Sequence, residues 1–116
     1  MGANSKSITP HELKAAIVSS SGPVILDVRR AATFDDASDM IRTASWRDPA
    51  QVDAWCNDLS AGEGDYVVYC VHGREVSQNT AAILRSKGIR ARYLEGGIDA
   101  FRESGGPMTK RGSDGK

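Results

Sequence analysis

Cys70 is the residue of this sequence best placed to do covalent chemistry. The segment Asp65-Tyr-Val-Val-Tyr-Cys-Val-His-Gly-Arg-Glu-Val-Ser77 predicts a strand from Tyr66 to Tyr69 that ends at Cys70, then a short loop, then a helix that begins near Glu75. Backbone N–H groups in such a loop and in the first helical turn are unpaired, and they bind anions. Because a thiolate is an anion, this setting favours a nucleophilic cysteine.

The residues after Cys70 support an anion-binding loop. Gly73 allows a tight turn, His72 and Arg74 add donors and positive charge, and Glu75 falls where a helix dipole favours a carboxylate. A cysteine at a strand end also packs commonly as a small hydrophobe. The loop is an unusual sequence for filling a core, which favours the reactive interpretation. The expected substrate-binding residues are Val71, His72, Gly73, Arg74, Glu75 and Val76.

A carboxylate interrupts an otherwise apolar candidate strand, Val24-Ile-Leu-Asp-Val28. An unbroken apolar run is typical of a strand that is covered on both faces. Asp27 therefore either caps the next turn or faces a site at the carboxyl end of the sheet. Arg29 lies two residues later on the same face, so a structural pairing of the two is expected to support the site.

The elements that must position these residues alternate between strand and helix, which predicts an α/β fold with a mainly parallel central sheet and helices on both faces. Ligands bind outside the carboxyl ends of such strands, so Asp27 and Cys70 should share one edge. The expected domain spans residues 7–103, between a flexible N-terminus of residues 1–6 and a flexible tail of residues 104–116.

Composition excludes several classes of function. The 116 residues carry 15 basic and 15 acidic side chains, so no nucleic-acid partner is indicated. Apolar runs are far shorter than a membrane helix needs, and no signal peptide is recognised, so no membrane partner is expected. Cys56 and Cys70 form neither a disulfide framework nor a metal-ligand spacing. The expected location is the cytoplasm, with Cys56 packed in the core and His11 on the surface.

In order along the chain, three motifs resemble those of single-domain rhodaneses, a family of sulfurtransferases. They are Val-Ile-Leu-Asp-Val-Arg29, Val-Val-Tyr-Cys-Val-His-Gly73 and Tyr-Leu-Glu-Gly-Gly-Ile98, and the resemblance covers Ile8 to Phe101. It implies a rhodanese-like domain that transfers a sulfane sulfur through a persulfide on Cys70, without a metal or organic cofactor. The implied partners are a small anionic donor such as thiosulfate, and an acceptor that is a thiol, cyanide or a sulfur-accepting protein.

The sequence departs from the family's common pattern at three places. Thr33 stands where a glutamate often precedes the aromatic residue, here Phe34, and residues 38–44 replace a Gly-His-Ile-x-Gly-Ala segment. Glu75 stands where many members have a basic residue. A carboxylate at the rim of the loop would repel thiosulfate unless its side chain turns away.

Two other functions fit the same loop. The Glu75 carboxylate and the basic tail favour a persulfide carrier, or a sensing and interaction module, with little turnover. Phosphatases and arsenate reductases also use a Cys-loop-helix, with five residues between the cysteine and an arginine that clamps the oxyanion. In this chain Val76 occupies that position and Arg74 comes two residues early. The sulfurtransferase is therefore the favoured function.

Overall fold

The computed structural model describes residues 6–18, 22–59 and 64–110, and a five-stranded sheet lies at its centre. The strand order is β1-β6-β5-β2-β4, with parallel pairing throughout, while β3 and β7 form a separate antiparallel pair. The strands are β1 (Ser7–Ile8), β2 (Val24–Asp27), β3 (Asp39–Ile41), β4 (Ser45–Trp46), β5 (Tyr66–Tyr69), β6 (Ala91–Leu94) and β7 (Met108–Lys110).

Five α-helices connect the described strands. They are α1 (Pro10–Ile17), α2 (Ala31–Asp36), α3 (Val52–Trp55), α4 (Glu75–Ser86) and α5 (Gly97–Glu103), and short 3₁₀ turns at Pro49–Gln51 and Cys56–Asp58 flank α3. Helix α1 begins with a capping box, in which the Glu12 N–H donates to Thr9 Oγ1 over 3.1 Å and the Thr9 N–H donates to Glu12 Oε1 over 3.0 Å. No helix in the described ranges is long and apolar enough to cross a bilayer.

Helices cover both faces of the sheet, as the alternation of elements predicted. Alternate side chains of each strand point to opposite faces, so Val67 and Tyr69 pack in the cluster that contains Leu13 of α1 and Phe101 of α5. Leu26 and Val68 pack in the second cluster, with side chains of α3 and α4. Cys56 is 2% exposed in that second cluster, which confirms its predicted place in the core.

The prediction of a flexible tail from Ser104 is wrong for residues 104–110. Strand β7 pairs with β3 in the register Met40 with Thr109, and the Arg42 N–H donates to the Pro107 carbonyl over 3.1 Å. Met108 also packs against the cluster around Phe101. The polar composition hides this pairing because a ladder uses main-chain groups. Residues 1–5 and 111–116, which belong to the predicted flexible ends, lie outside the described residues.

The segment between β2 and α3 contains three short elements, the helix α2 and the strands β3 and β4. No strand at β3 was predicted from the sequence. A strand of three residues is too short to show alternation. This strand matters for the site, because its backbone contacts the buried arginine described below.

Candidate active site

Strands β2 and β5 are neighbours and end at the same edge of the sheet. Asp27 lies beside Tyr69 in the register of the two strands, and the loop that begins with Cys70 follows directly. The predicted shared edge of Asp27 and Cys70 is therefore confirmed. Side chains that follow β2 and side chains that follow β5 can meet in one site.

Cys70 lies at the bottom of a cavity of about 330 Å³ at this edge. Its side chain is 7% exposed, and its Sγ lies 3.2 Å from the Ser77 hydroxyl oxygen on α4. The Ser77 hydroxyl is therefore placed to donate to the sulfur once the thiol has lost its proton. The cavity is lined by Arg29, Arg30, Thr33, Cys70, Val71, His72, Arg74, Glu75 and Val76.

The backbone of the loop offers unpaired donors beside this sulfur. Within the described ranges, the N–H groups of residues 71–77 donate to no protein acceptor. These groups lie between the end of β5 and the first turn of α4, a helix of 12 residues. Together with the positively charged residues Arg30 and Arg74, which also line the cavity, they form an electropositive setting for a small anion.

Helix α5 supports the loop from the other side. The N–H groups of Ile98 and Asp99 donate to the carbonyls of Cys70 and Val71 over 2.9 Å and 3.2 Å. This contact needs glycine at position 97, because a Cβ there would lie 2.3 Å from the Val71 carbonyl oxygen, and the residue has a φ of +65°. The backbones of the loop and of α5 therefore approach each other closely at this glycine.

Gly73 forms the opposite half of the same contact. Its φ is +71°, and a Cβ would lie 2.6 Å from both the Gly96 nitrogen and the Leu94 carbonyl oxygen. The Gln78 side-chain amide donates to the Gly73 carbonyl over 2.9 Å. Gly73 is buried beneath the loop and does not line the cavity, so its contribution is to shape the loop.

Asp27 and Arg29 form a buried ion pair behind the cavity. Asp27 is 0% exposed, and it accepts from Arg29 Nη2 over 2.6 Å and from the Tyr69 hydroxyl over 2.9 Å. The Tyr69 oxygen in turn accepts from the Ile41 N–H over 3.1 Å. Burial, together with the neighbouring Asp27 carboxylate, raises the pKa of Tyr69 well above its usual value, so Tyr69 stays a neutral donor. The predicted structural pairing is confirmed.

Arg29 connects this buried pair to the cavity. Its Nη2 also donates to the Asp39 carbonyl over 2.9 Å, and its guanidinium lies 5.5 Å from the centre of the Phe34 ring. The Trp46 indole stacks on Phe34 and donates to the Arg29 carbonyl over 2.8 Å. These contacts fix the guanidinium, and Arg29 is one of the residues that line the cavity.

Most of the predicted site residues line the cavity, and two of them lie behind it. Val71, His72, Arg74, Glu75 and Val76 line the cavity with Cys70 and Arg29, while Gly73 and Asp27 lie behind it. Five further residues of the site were not predicted as site residues: Arg30, Thr33, Tyr69, Ser77 and Asp99. Arg30 and Thr33 follow β2 at the same edge as Arg29, a signal that could have found them. The contacts of Ser77 and Asp99 depend on tertiary packing.

A contact between a histidine and a carboxylate lies beside the cavity. His72 Nδ1 is 3.2 Å from Asp99 Oδ2, and the other Asp99 oxygen accepts from Arg102 Nη1 over 3.0 Å. Arg102 also donates to both carboxylate oxygens of Asp39, which lowers the pKa of Asp39. The pair connects the loop after β5 to helix α5 through side chains as well as through the backbone.

Residues 9–104 match the family model described as the rhodanese-like domain. No functionally curated protein matches the sequence.

Solved structures agree with the fold. A rhodanese-like domain protein from Staphylococcus aureus has 30% sequence identity and a TM-score of 0.72, with 83% of this chain and 90% of that chain covered. A full-length protein from Lactobacillus plantarum has 24% identity and a TM-score of 0.79, with 90% and 88% covered. A protein of unknown function from Rhodopseudomonas palustris, described as a possible tyrosine phosphatase, has 22% identity and a TM-score of 0.77, with 90% and 84% covered.

Proposed function

The chain belongs to the rhodanese-like domain family, and from this premise we propose that it is a sulfurtransferase. It moves a sulfane sulfur from a small anionic donor such as thiosulfate to a thiophilic acceptor, through a persulfide on Cys70. The observation that carries this proposal is the position of Cys70 at the bottom of a cavity whose loop has unpaired backbone N–H groups from residue 71 to residue 77.

In the first half-reaction the Cys70 thiolate attacks the outer sulfur of the donor. A bond forms between Cys70 Sγ and that sulfur, the S–S bond of thiosulfate breaks, and sulfite leaves with the electron pair of that bond. In the second half-reaction an acceptor nucleophile attacks the outer sulfur of the persulfide, and Cys70 leaves again as a thiolate. The sulfur moves as a neutral atom in both steps, so the charge of the protein is unchanged and no external oxidant or reductant is needed.

The residues of the cavity suit both steps. The free N–H groups of the loop and the Ser77 hydroxyl would stabilise negative charge on the thiolate and on the persulfide, as an oxyanion hole does. The positive charges of Arg30 and Arg74 would attract and orient the donor. His72 lies beside them at the mouth. Charge that is already in place around a small cavity costs little reorganisation during the reaction.

The acceptor has room beyond the cavity. A second depression, of about 440 Å³, shares Arg30 and Val76 with the Cys70 cavity. We therefore propose a cellular thiol or a sulfur-accepting protein as the acceptor in the cell, with cyanide as its substitute in an assay. The predicted cytoplasmic location, where such thiols are reduced, is part of this proposal.

The test is the conversion of thiosulfate and cyanide into thiocyanate. We expect turnover by the natural chain, turnover by a Cys56→Ala variant, and none above the uncatalysed rate by a Cys70→Ala variant. Cys56 is the matched control, because it is also a buried free cysteine but lies in the core. Equal rates for the natural chain and the Cys70→Ala variant would refute the proposal.

A persulfide carrier with little turnover is the second candidate. The observation that favours it is Glu75, which is exposed and lines the cavity, so that its charge opposes an anionic donor. A carrier would retain one sulfur atom on Cys70 yet form thiocyanate slowly. A phosphatase is disfavoured because the clamp position of that loop holds Val76, and we expect no Cys70-dependent hydrolysis of an aryl phosphate.

A further inference from the structure

His72 and Asp99 have the arrangement by which proteins fix one tautomer of histidine. Nδ1 lies 3.2 Å from an Asp99 carboxylate oxygen, a contact that favours a hydrogen on Nδ1 and a free lone pair on Nε2 in the neutral ring. No hydrogen bond to Nε2 is made by any group within the described residues. His72 also lines the cavity whose lower end is Cys70. A base and the nucleophile therefore line the same cavity.

Asp99 is held in place independently of His72. Its N–H donates to the Val71 carbonyl, and its Oδ1 accepts from Arg102 Nη1 over 3.0 Å. Arg102 is itself fixed by Asp39, to which it donates over 2.8 Å and 3.1 Å. Because the carboxylate is anchored on two sides, its position does not depend on the imidazole, and it can orient the ring.

We propose that His72 is the general base of the acceptor step and that Asp99 is its positioning residue. This inference rests on the proposed sulfurtransferase function and concerns acceptors that are thiols. The acceptor sulfur loses its proton to His72 Nε2 and bonds to the outer sulfur of the persulfide. The bond between that sulfur and Cys70 Sγ breaks, and the Cys70 thiolate leaves with the electron pair. The acceptor departs as a persulfide anion.

The charges around the imidazole come from three directions. They belong to Asp99 and Arg102 on α5, to Arg74 and Glu75 beside the loop, and to Arg29 and Arg30 across the cavity. Asp99 is the carboxylate within ion-pair distance of the ring. It is therefore the group whose change should alter the orientation of the base while leaving the lining of the cavity in place.

The experiment loads Cys70 with sulfur from thiosulfate, removes the donor, and follows the loss of the persulfide by intact mass in a single turnover. Acceptors are 2-mercaptoethanol, whose thiol must lose a proton, and the sulfite dianion, which has none to lose. We expect His72→Gln and Asp99→Asn to slow discharge to the thiol about tenfold to a hundredfold near neutral pH. The slowing of discharge to the thiol should become smaller as the pH rises toward the pKa of the acceptor thiol, which is about 8.5 or higher for a typical thiol. Discharge to sulfite should change by less than about threefold, since only an exposed charge pair is lost.

Glu103→Gln is the control, because it removes an exposed carboxylate of α5 that neither lines the cavity nor pairs with His72, and it should discharge both acceptors like the natural chain. The inference would be overturned if the variants discharged to both acceptors equally slowly. It would also be overturned if they discharged to the thiol at the natural rate with an unchanged pH profile. Persulfide formation would remain intact in both cases. Failure of the natural chain to form a persulfide at all would instead refute the proposed function.

Discussion

The Ile98 N–H donates to the Cys70 carbonyl over 2.9 Å, so the first turn of α5 holds the residue on which the proposed chemistry depends. The two backbones approach this closely only because position 97 has no side chain. The loop is thus a contact between two segments, and its shape can be altered from α5 without touching any residue that lines the cavity.

Gly97→Ala should lower the free energy of unfolding by more than the left-handed backbone conformation alone would explain. The new Cβ would meet the Val71 and Cys70 carbonyls at 2.3 Å and 2.5 Å, in addition to the left-handed φ. We expect a loss of at least about 3 kcal/mol in the free energy of unfolding by urea. Gly105→Ala is the control, because its φ is +84° with no neighbour within 4 Å, and it should cost about 1–2 kcal/mol. Equal losses would show that the close approach is not required.

Asp27→Asn should destabilise the domain strongly. It leaves the Arg29 guanidinium, which is 3% exposed, without its counter-charge in the interior. Loss of one partner of a buried ion pair costs about 3–5 kcal/mol. Tyr69→Phe removes a neutral donor to the same carboxylate and the acceptor of the Ile41 N–H, and it should cost about 1–3 kcal/mol. Urea unfolding measures both, and a smaller loss for Asp27→Asn than for Tyr69→Phe would contradict the account.

The Asp39–Arg102 pair should make stability depend on acid pH. Hydrogen bonds from Arg102 lower the pKa of Asp39 below its usual value of 3.8 in the folded state. The stability from this carboxylate is therefore fully present above 3.8 and is lost as the pH falls through the lower folded-state pKa. Asp39→Asn should cost about 0.5–1 kcal/mol near pH 6, and the difference should shrink toward pH 3. A difference that stays constant over this interval would contradict the assigned shift.

Glu75→Gln should improve the use of thiosulfate. The Glu75 carboxylate lines the cavity and opposes the donor, so its removal should lower the KM for thiosulfate several-fold at low salt, with kcat nearly unchanged. The gain should fall as salt is added, since screening already weakens the repulsion. Glu103→Gln, which removes an exposed carboxylate of α5 outside the cavity, is the control. An unchanged KM for Glu75→Gln would show that the Glu75 side chain turns away from the donor.

Local signals in the sequence were enough to predict the centre of the site. The strand Tyr66–Tyr69, the loop after it and the start of α4 at Glu75 agree with the structure, because apolar runs and a helix-length amphipathic pattern mark them. Asp27 was recognisable because a lone carboxylate in a buried strand must find a partner. The adjacent glycines at positions 96 and 97 are likewise a local signal, because glycine is favoured where two backbones come close.

Features that depend on distant contacts were not predictable. The pairing of β7 with β3 uses backbone groups, which a polar composition does not reveal. Ser77 was assigned to no role because its contact with Cys70 appears only when the loop folds back over α4. The His72–Asp99 pair likewise joins residues that an α-helix and a β-strand separate in the sequence.

The mass of the intact protein after exposure to thiosulfate tests the central claim most directly. We predict a gain of one sulfur atom in the natural chain and in Cys56→Ala, no gain in Cys70→Ala, and return to the original mass when cyanide is added, with thiocyanate released. A natural chain that gains no sulfur, or a Cys70→Ala variant that gains it equally, would contradict the claim that Cys70 accepts and releases sulfur.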